Sequence, residues 1–148
     1  MDLILWRHAD AESGIPDEER RLTSKGHKQA ERMAAWLSKR LPADYVMLVS
    51  PARRAQETAR ALARNFETRA EAGTLATPQA MLKAAGWPRA ERAVVIVGHQ
   101  PVLGQAAALA LTGSIADWNV KKSAVWWLAH RDREDRPALR AVIGPDLV

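Results

Sequence analysis

The sequence predicts an α/β fold: a mostly parallel sheet with helices on both faces. Three observations carry this. Three short apolar runs, each too short for a helix, end abruptly in polar residues. Stretches with helical patterning separate them, which implies a sheet covered by helices. Two pairs, Ser50-Pro51 and Thr77-Pro78, combine a capping residue with a proline at the first helical position. Right-handed crossovers make the early strands parallel, and ligands of such sheets bind outside the carboxyl ends of the strands.

The first apolar run makes residues 2–7 a buried strand that stops at Arg7-His8. Residues 9–22 read as a polar loop holding Gly14, Pro16 and the charged run 17–21, whose acidic half reads as solvated. Thr23 caps a helix over 24–41, with Ala30, Met33, Ala34, Leu37 and Leu41 on one face. Pro42 stops it. Residues 44–49 form a second buried strand, and Ser50-Pro51 opens a helix over about 51–66. A short strand is expected near 68–71, then a loop at Gly73-Thr74. Thr77-Pro78 starts a helix that runs to about Ala85 and ends at Gly86-Trp87-Pro88. Residues 93–97 (Ala-Val-Val-Ile-Val) are the clearest buried strand and lead into Gly98-His99. A helix over about 101–111 ends at Gly113. Residues 122–129 and 138–143 read as an antiparallel pair joined by a charged stretch.

The 148 residues suffice for one domain, expected to span 1–148. A 47% apolar and 26% charged composition is that of a soluble globular protein. No run approaches the roughly 18 apolar residues of a membrane helix, and no signal peptide is visible. The expectation is therefore a cytoplasmic protein without a membrane partner. With no cysteine, disulfides, thiolate nucleophiles and Cys-ligated metals are excluded. A net charge of +5 points to anionic partners. The oligomeric state is not readable.

Chemistry is expected at the strand ends. The first carries Arg7-His8, the second leads into Ser50-Pro51-Ala52-Arg53-Arg54, and the third into Gly98-His99. Taken singly, each residue has a bland reading as an edge cation or a satisfied buried histidine. Their coincidence at three strand ends is what points to a site. Arg53 and Arg54 add a local conflict, because two cations in a first helical turn oppose the helix dipole. A bound anion would resolve it, and helix N-termini themselves bind phosphate. The pattern does not settle which of the two arginines faces the crevice.

Arginine's planar fork matches phosphate oxygens, and a neutral imidazole is a competent nucleophile. Neighbouring cations would keep His8 unprotonated. His8 as nucleophile, with Arg7, Arg54 and His99 around the phosphoryl group, would support phosphoryl transfer without metal. Phosphate-binding glycine loops of the G-x-x-x-x-G-K-[ST] and G-x-G-x-x-G types are absent. A metal site from His8, Asp10, Glu12 and His99 is a competing reading, opposed by the charge of Arg7 and Arg54.

These residues resemble the histidine phosphatase superfamily, the phosphoglycerate-mutase-like enzymes, and within it the small SixA-type branch. The resemblance is carried by Leu5-Trp6-Arg7-His8-Ala9, by Arg20 to Gly26 with Gln29-Ala30, by Ser50 to Ala59, and by Val97-Gly98-His99-Gln100-Pro101. Ser123-Ala124 matches a weaker motif. The resemblance implies a three-layer α/β/α domain and no cofactor. It implies that His8 is the phosphorylated nucleophile and that Arg7, Arg54 and His99 hold phosphate. It favours Arg54 over Arg53, as the arginine four positions after Ser50.

The sequence departs from larger relatives, which place a Glu general acid in mid-chain. Here the comparable region is Gly73-Thr74-Leu75, with Glu71 nearby. An alkyl ester needs its leaving alkoxide protonated, whereas a phosphohistidine can leave as neutral imidazole once its own ring is protonated. The expected substrate is thus a phosphohistidine-bearing protein. Two alternatives are a small-molecule phosphomonoesterase with the same site and a catalytically weak, basic phosphate- or nucleic-acid-binding module. Nucleic acid is not the expected partner, since the tryptophans lie in apolar or strand contexts such as Trp126-Trp127.

Overall fold

A computed structural model describes all residues, Met1–Val148. The elements are β1 (Asp2–Arg7), a 3-10 turn (Asp17–Glu19), α1 (Ser24–Ser38), β2 (Tyr45–Val49), α2 (Arg53–Arg60), β3 (Glu67–Thr68) and a second 3-10 turn (Ala70–Ala72). They continue with α3 (Pro78–Ala85), β4 (Ala93–Gly98), α4 (Val102–Thr112), β5 (Val125–Ala129) and β6 (Ala138–Ile143). One six-stranded sheet has the order β3-β2-β4-β1-β5-β6. β1 to β4 run parallel, while β5 lies antiparallel to β1 and β6 antiparallel to β5.

The two faces follow from period-two alternation in strands buried on both sides. Leu3 and Leu5 of β1 join Val94 and Ile96 of β4 in a core under α3 and α4. Ile4 and Trp6 join Val95 and Val97 in a core under α1 and α2. From α1, Met33, Ala34 and Leu37 enter this second core, as the helical stripe predicts.

The ends of several elements differ from expectation. α1 stops at Ser38 rather than 41, because Arg40 and Leu41 both donate to the Leu37 carbonyl and close the last turn. α2 ends at Arg60, not 66. Its exit tightens through Ala61 N to Thr58 O and Leu62 N to Ala59 O, and the freed chain still packs Leu62, Ala63 and Phe66 on the core. The strand expected at 68–71 is two residues, Glu67–Thr68, after which Ala70–Ala72 turns as a 3-10 helix. β5 starts at Val125 rather than 122, since Ser123 has φ +58, which no strand residue can adopt.

Gly26 is fixed by close approach. A Cβ there would lie 2.0 Å from the Asp10 carbonyl oxygen, so the loop after β1 rests directly on the first turn of α1. Thr23 caps that turn, accepting from Gly26 N at 3.0 Å and donating to the Asp10 carboxylate at 2.7 Å.

Candidate active site

The carboxyl ends of β1, β2 and β4 lie side by side. Arg7 pairs with Gly98, His8 N donates to Gly98 O at 3.0 Å, and Ser50 N donates to Val97 O at 3.1 Å. The His8 carbonyl accepts from Ser123 N at 3.1 Å, so both backbone groups of His8 are held. Ser123 does this from a left-handed conformation, a local strain of order 1 kcal/mol. Behind the strand end, Ala9 N donates to Thr58 Oγ1 at 3.0 Å, and that hydroxyl donates to Arg54 O at 2.7 Å. A single hydroxyl thus fixes α2 against the chain that carries His8.

Arg7, His8, Arg54 and His99 line one cavity of about 320 Å³, together with Asp17, Arg20, Thr74, Gln100 and Lys122. The imidazoles of His8 and His99 stand 5.2 Å apart, tilted by 53°. His8, Arg54 and His99 are all more than nine-tenths buried. Arg53 is exposed and pairs with Glu57 at 3.7 Å, so Arg54 is the arginine of the crevice.

His8 Nδ1 lies 2.7 Å from the Ala9 carbonyl. A carbonyl only accepts, so Nδ1 carries the proton and donates, leaving a lone pair on Nε2. Burial lowers the His8 pKa to about 4, partly opposed by the bond to Ala9 and reinforced by the charges of Arg54 and Arg7. His8 is therefore a neutral base at neutral pH. His99 is pushed down to about 3, first by burial and then by His8 and Arg54. Its Nε2 is 2.7 Å from Ser50 Oγ. Ser50 Oγ accepts from Ala52 N at 3.1 Å and has its own proton to donate; when that proton goes to Nε2, the ring proton of His99 sits on Nδ1.

Arg7 is anchored through Nη1 to Val120 O at 3.0 Å. The buried side-chain polar atoms without a partner are Arg7 Nε, Arg54 Nε and His99 Nδ1. All three belong to this cluster, where hydrogen-bonding capacity is left over despite a desolvation cost of roughly 1–3 kcal/mol per group.

Asp17 was not expected here. Its run reads as a solvated loop, yet the 3-10 turn carries it over the pocket. Arg54 donates to its carbonyl at 2.9 Å and to its carboxylate at 3.1 Å, and Arg20 donates to the same carboxylate at 2.9 Å. Arg20 and Lys122 also reach the pocket unannounced. The only sequence signal among these three was the place of Arg20 in the matched run that ends at Gly26.

The other singled-out acids lie elsewhere. Glu71 does not line the pocket and is bound by Arg69 through both oxygens, at 3.0 and 3.2 Å. Asp10 pairs with Lys122 at 2.8 Å, and Glu12 with Arg21 at 2.9 Å. The four donors of the competing metal reading are thus not brought together, and no three His, Cys, Asp or Glu side chains converge in a metal-holding cluster. Asp10, Asp17 and Glu71 are each held below the usual carboxylate range, led by hydrogen bonds from Lys122, Arg20 and Arg69 respectively.

The fold is that of the phosphoglycerate-mutase-like proteins. The protein histidine phosphatase SixA, solved with tungstate, superposes with a TM-score of 0.80 at 21% identity, covering 99% of both chains. A protein from Agrobacterium tumefaciens assigned as a SixA phosphohistidine phosphatase gives 0.77 at 24%, covering 97% of both. A phosphoserine phosphatase variant from Entamoeba histolytica, solved with phosphoserine, gives 0.72 at 15%, covering 95% of both. No curated protein sequence matches the chain. The sequence pattern of the histidine phosphatase superfamily (branch 1) matches residues 3–74, just under half of the chain. The matched segment contains Arg7, His8 and Arg54. His99 lies beyond it and joins them through the β4–β1 pairing.

Proposed function

We propose that the protein, acting as one unit over residues 1–148, is a metal-independent phosphatase that takes phosphoryl groups from phosphohistidine in proteins through a phosphohistidine on its own His8. The observation that carries this reading is the hydrogen bond from His8 Nδ1 to Ala9 O at 2.7 Å, which leaves Nε2 as a free base among three arginines. Arg7 and Arg54 grip the phosphoryl oxygens, and His99 donates to them from Nδ1.

In the first step His8 Nε2 attacks phosphorus and a P–N bond forms. The P–N bond to the substrate imidazole breaks, and that ring, protonated on its other nitrogen, leaves as neutral imidazole. The phosphorylated His8 ring is now cationic, and its Nδ1–H bond to Ala9 O becomes charge-assisted. In the second step water attacks phosphorus, a P–O bond forms, and neutral His8 is expelled as phosphate takes the remaining protons. Neither step draws a proton from an enzyme carboxyl. This suits a pocket whose one lining carboxylate, Asp17, is held ionised by Arg20 and Arg54.

The test is a substrate panel of phosphohistidine peptides, sugar phosphates and p-nitrophenyl phosphate, run with and without chelator. The expected order puts phosphohistidine first, with turnover unchanged by chelation. Strong preference for a sugar phosphate would make the protein a small-molecule phosphomonoesterase, and loss of activity with chelator would overturn the metal-independent mechanism.

A further inference from the structure

A second concavity, of about 960 Å³, adjoins the phosphate pocket, and Arg7 and Lys122 line both. One wall is α1, where Lys25, Lys28 and Arg32 recur at spacings of three and four and share a face. The lining also includes Lys121 and Lys122 and, from the sheet, Trp126, Val142 and Ile143. Asp146 is the only carboxylate in the lining. Lys25, Lys28, Arg32 and Lys121 form no ion pair, while Lys122 pairs with Asp10.

A groove three times the volume of the phosphate pocket is too wide to be built for a small anion. Its unpaired cations exceed its acids, so it complements negative charge. Its lining is partly aliphatic, with Val142 about half exposed. Trp126 is half-buried and stacked on Trp118 with centroids 5.7 Å apart, so it is not a free platform for a nucleobase.

We propose that this groove docks an acidic, partly apolar segment of the protein whose phosphoryl group is delivered to His8. The inference deepens the phosphatase reading and rests on it for the delivery step. The acidic side chains meet Lys25, Lys28 and Lys121, apolar side chains lie on Val142 and Ile143, and the chain continues past Arg7 into the phosphate pocket.

Docking is tested by binding, which does not depend on turnover. A fluorescein-labelled peptide of alternating Glu and Leu residues and a single-stranded oligonucleotide of equal charge are titrated by anisotropy into the wild type, His8→Ala and Lys25→Glu/Lys28→Glu. Both lysines are exposed on α1, and acidic residues near a helix N-terminus are favourable. An unchanged Tm and the neutral pair Lys25→Gln/Lys28→Gln guard against misfolding. The expected result is equal peptide affinity for the wild type and His8→Ala, and a loss of at least tenfold on charge reversal with a smaller loss in the Gln pair. Hydrolysis of p-nitrophenyl phosphate should stay within twofold of wild type in the lysine variants. The proposal is overturned by absent peptide binding, by binding indifferent to both lysine pairs, or by tighter binding of the oligonucleotide. Failure of the phosphatase reading shows separately, as absent turnover of every phosphorylated substrate by the wild type.

Discussion

Arg54 gives both terminal nitrogens to Asp17, Nη1 to its carbonyl at 2.9 Å and Nη2 to its carboxylate at 3.1 Å. An anion already sits on the arginine proposed to hold phosphate, and a substrate must share or displace it. Asp17 is more than half exposed on its short turn, so the pair is worth at most about 1 kcal/mol. Asp17→Asn is expected to tighten inhibition by inorganic phosphate up to about fivefold, measured as a competitive Ki. Weaker inhibition would mean that Asp17 instead positions Arg54.

The seat of the β1 loop on α1 gives a stability prediction. In Gly26→Ala the new Cβ would meet the Asp10 backbone at 2.0 Å, and neither side is a flexible side chain. The expected loss is roughly 2–4 kcal/mol, read from urea unfolding. Further along α1 no such demand for glycine arises, since Ala30 and Ala34 already pack there with their methyl groups buried.

Proton linkage gives a third prediction. His8 and His99 titrate near 4 and 3 in the fold, against about 6.5 when unfolded. Between these values the unfolded chain binds more protons, so stability is complete above pH 6.5 and declines as pH falls toward 3–4. The loss is a few kcal/mol in order of magnitude. For the same reason kcat/KM for p-nitrophenyl phosphate should not show a histidine titration near 6.5 in the free enzyme; its nucleophile is lost only near pH 4. A thermal-melt series and a pH–rate profile check the two claims, and an acid limb of kcat/KM centred near 6.5 would contradict the second.

The strand ends were legible because each apolar run stops at a residue that burial alone would not choose. Arg7, His8 and His99 stand out that way and Arg54 by its place in a matched motif, and the structure brings the four to one cavity. The helical pattern left the facing of Arg54 open; in the structure Arg54 and Thr58 stand one turn apart and both turn inward. Asp17, Arg20 and Lys122 were not legible. Their part depends on where a loop lies over the sheet, which no periodicity encodes. Ser50 reads locally as a helix cap, but α2 starts only at Arg53 and the cap position falls to Ala52; Ser50 Oγ instead accepts from Ala52 N in the preceding turn, and its bond to His99 joins residues 49 apart. The misjudged end of α2 has a similar cause. Its alanines favour helix, but the chain must turn back to pair Glu67 and Thr68 with Leu48 and Val49.

The central claim is that His8 Nε2 becomes phosphorylated. It is tested most directly by rapid quench of the protein with a phosphohistidine peptide, followed by mass spectrometry of the peptide spanning residue 8. The account predicts an acid-labile phosphoryl group on His8 that forms and decays within a turnover, absent from His8→Ala, whose turnover falls by at least about a thousandfold. A His8→Ala variant that retains turnover, or a phosphoryl group trapped on another residue, would contradict it.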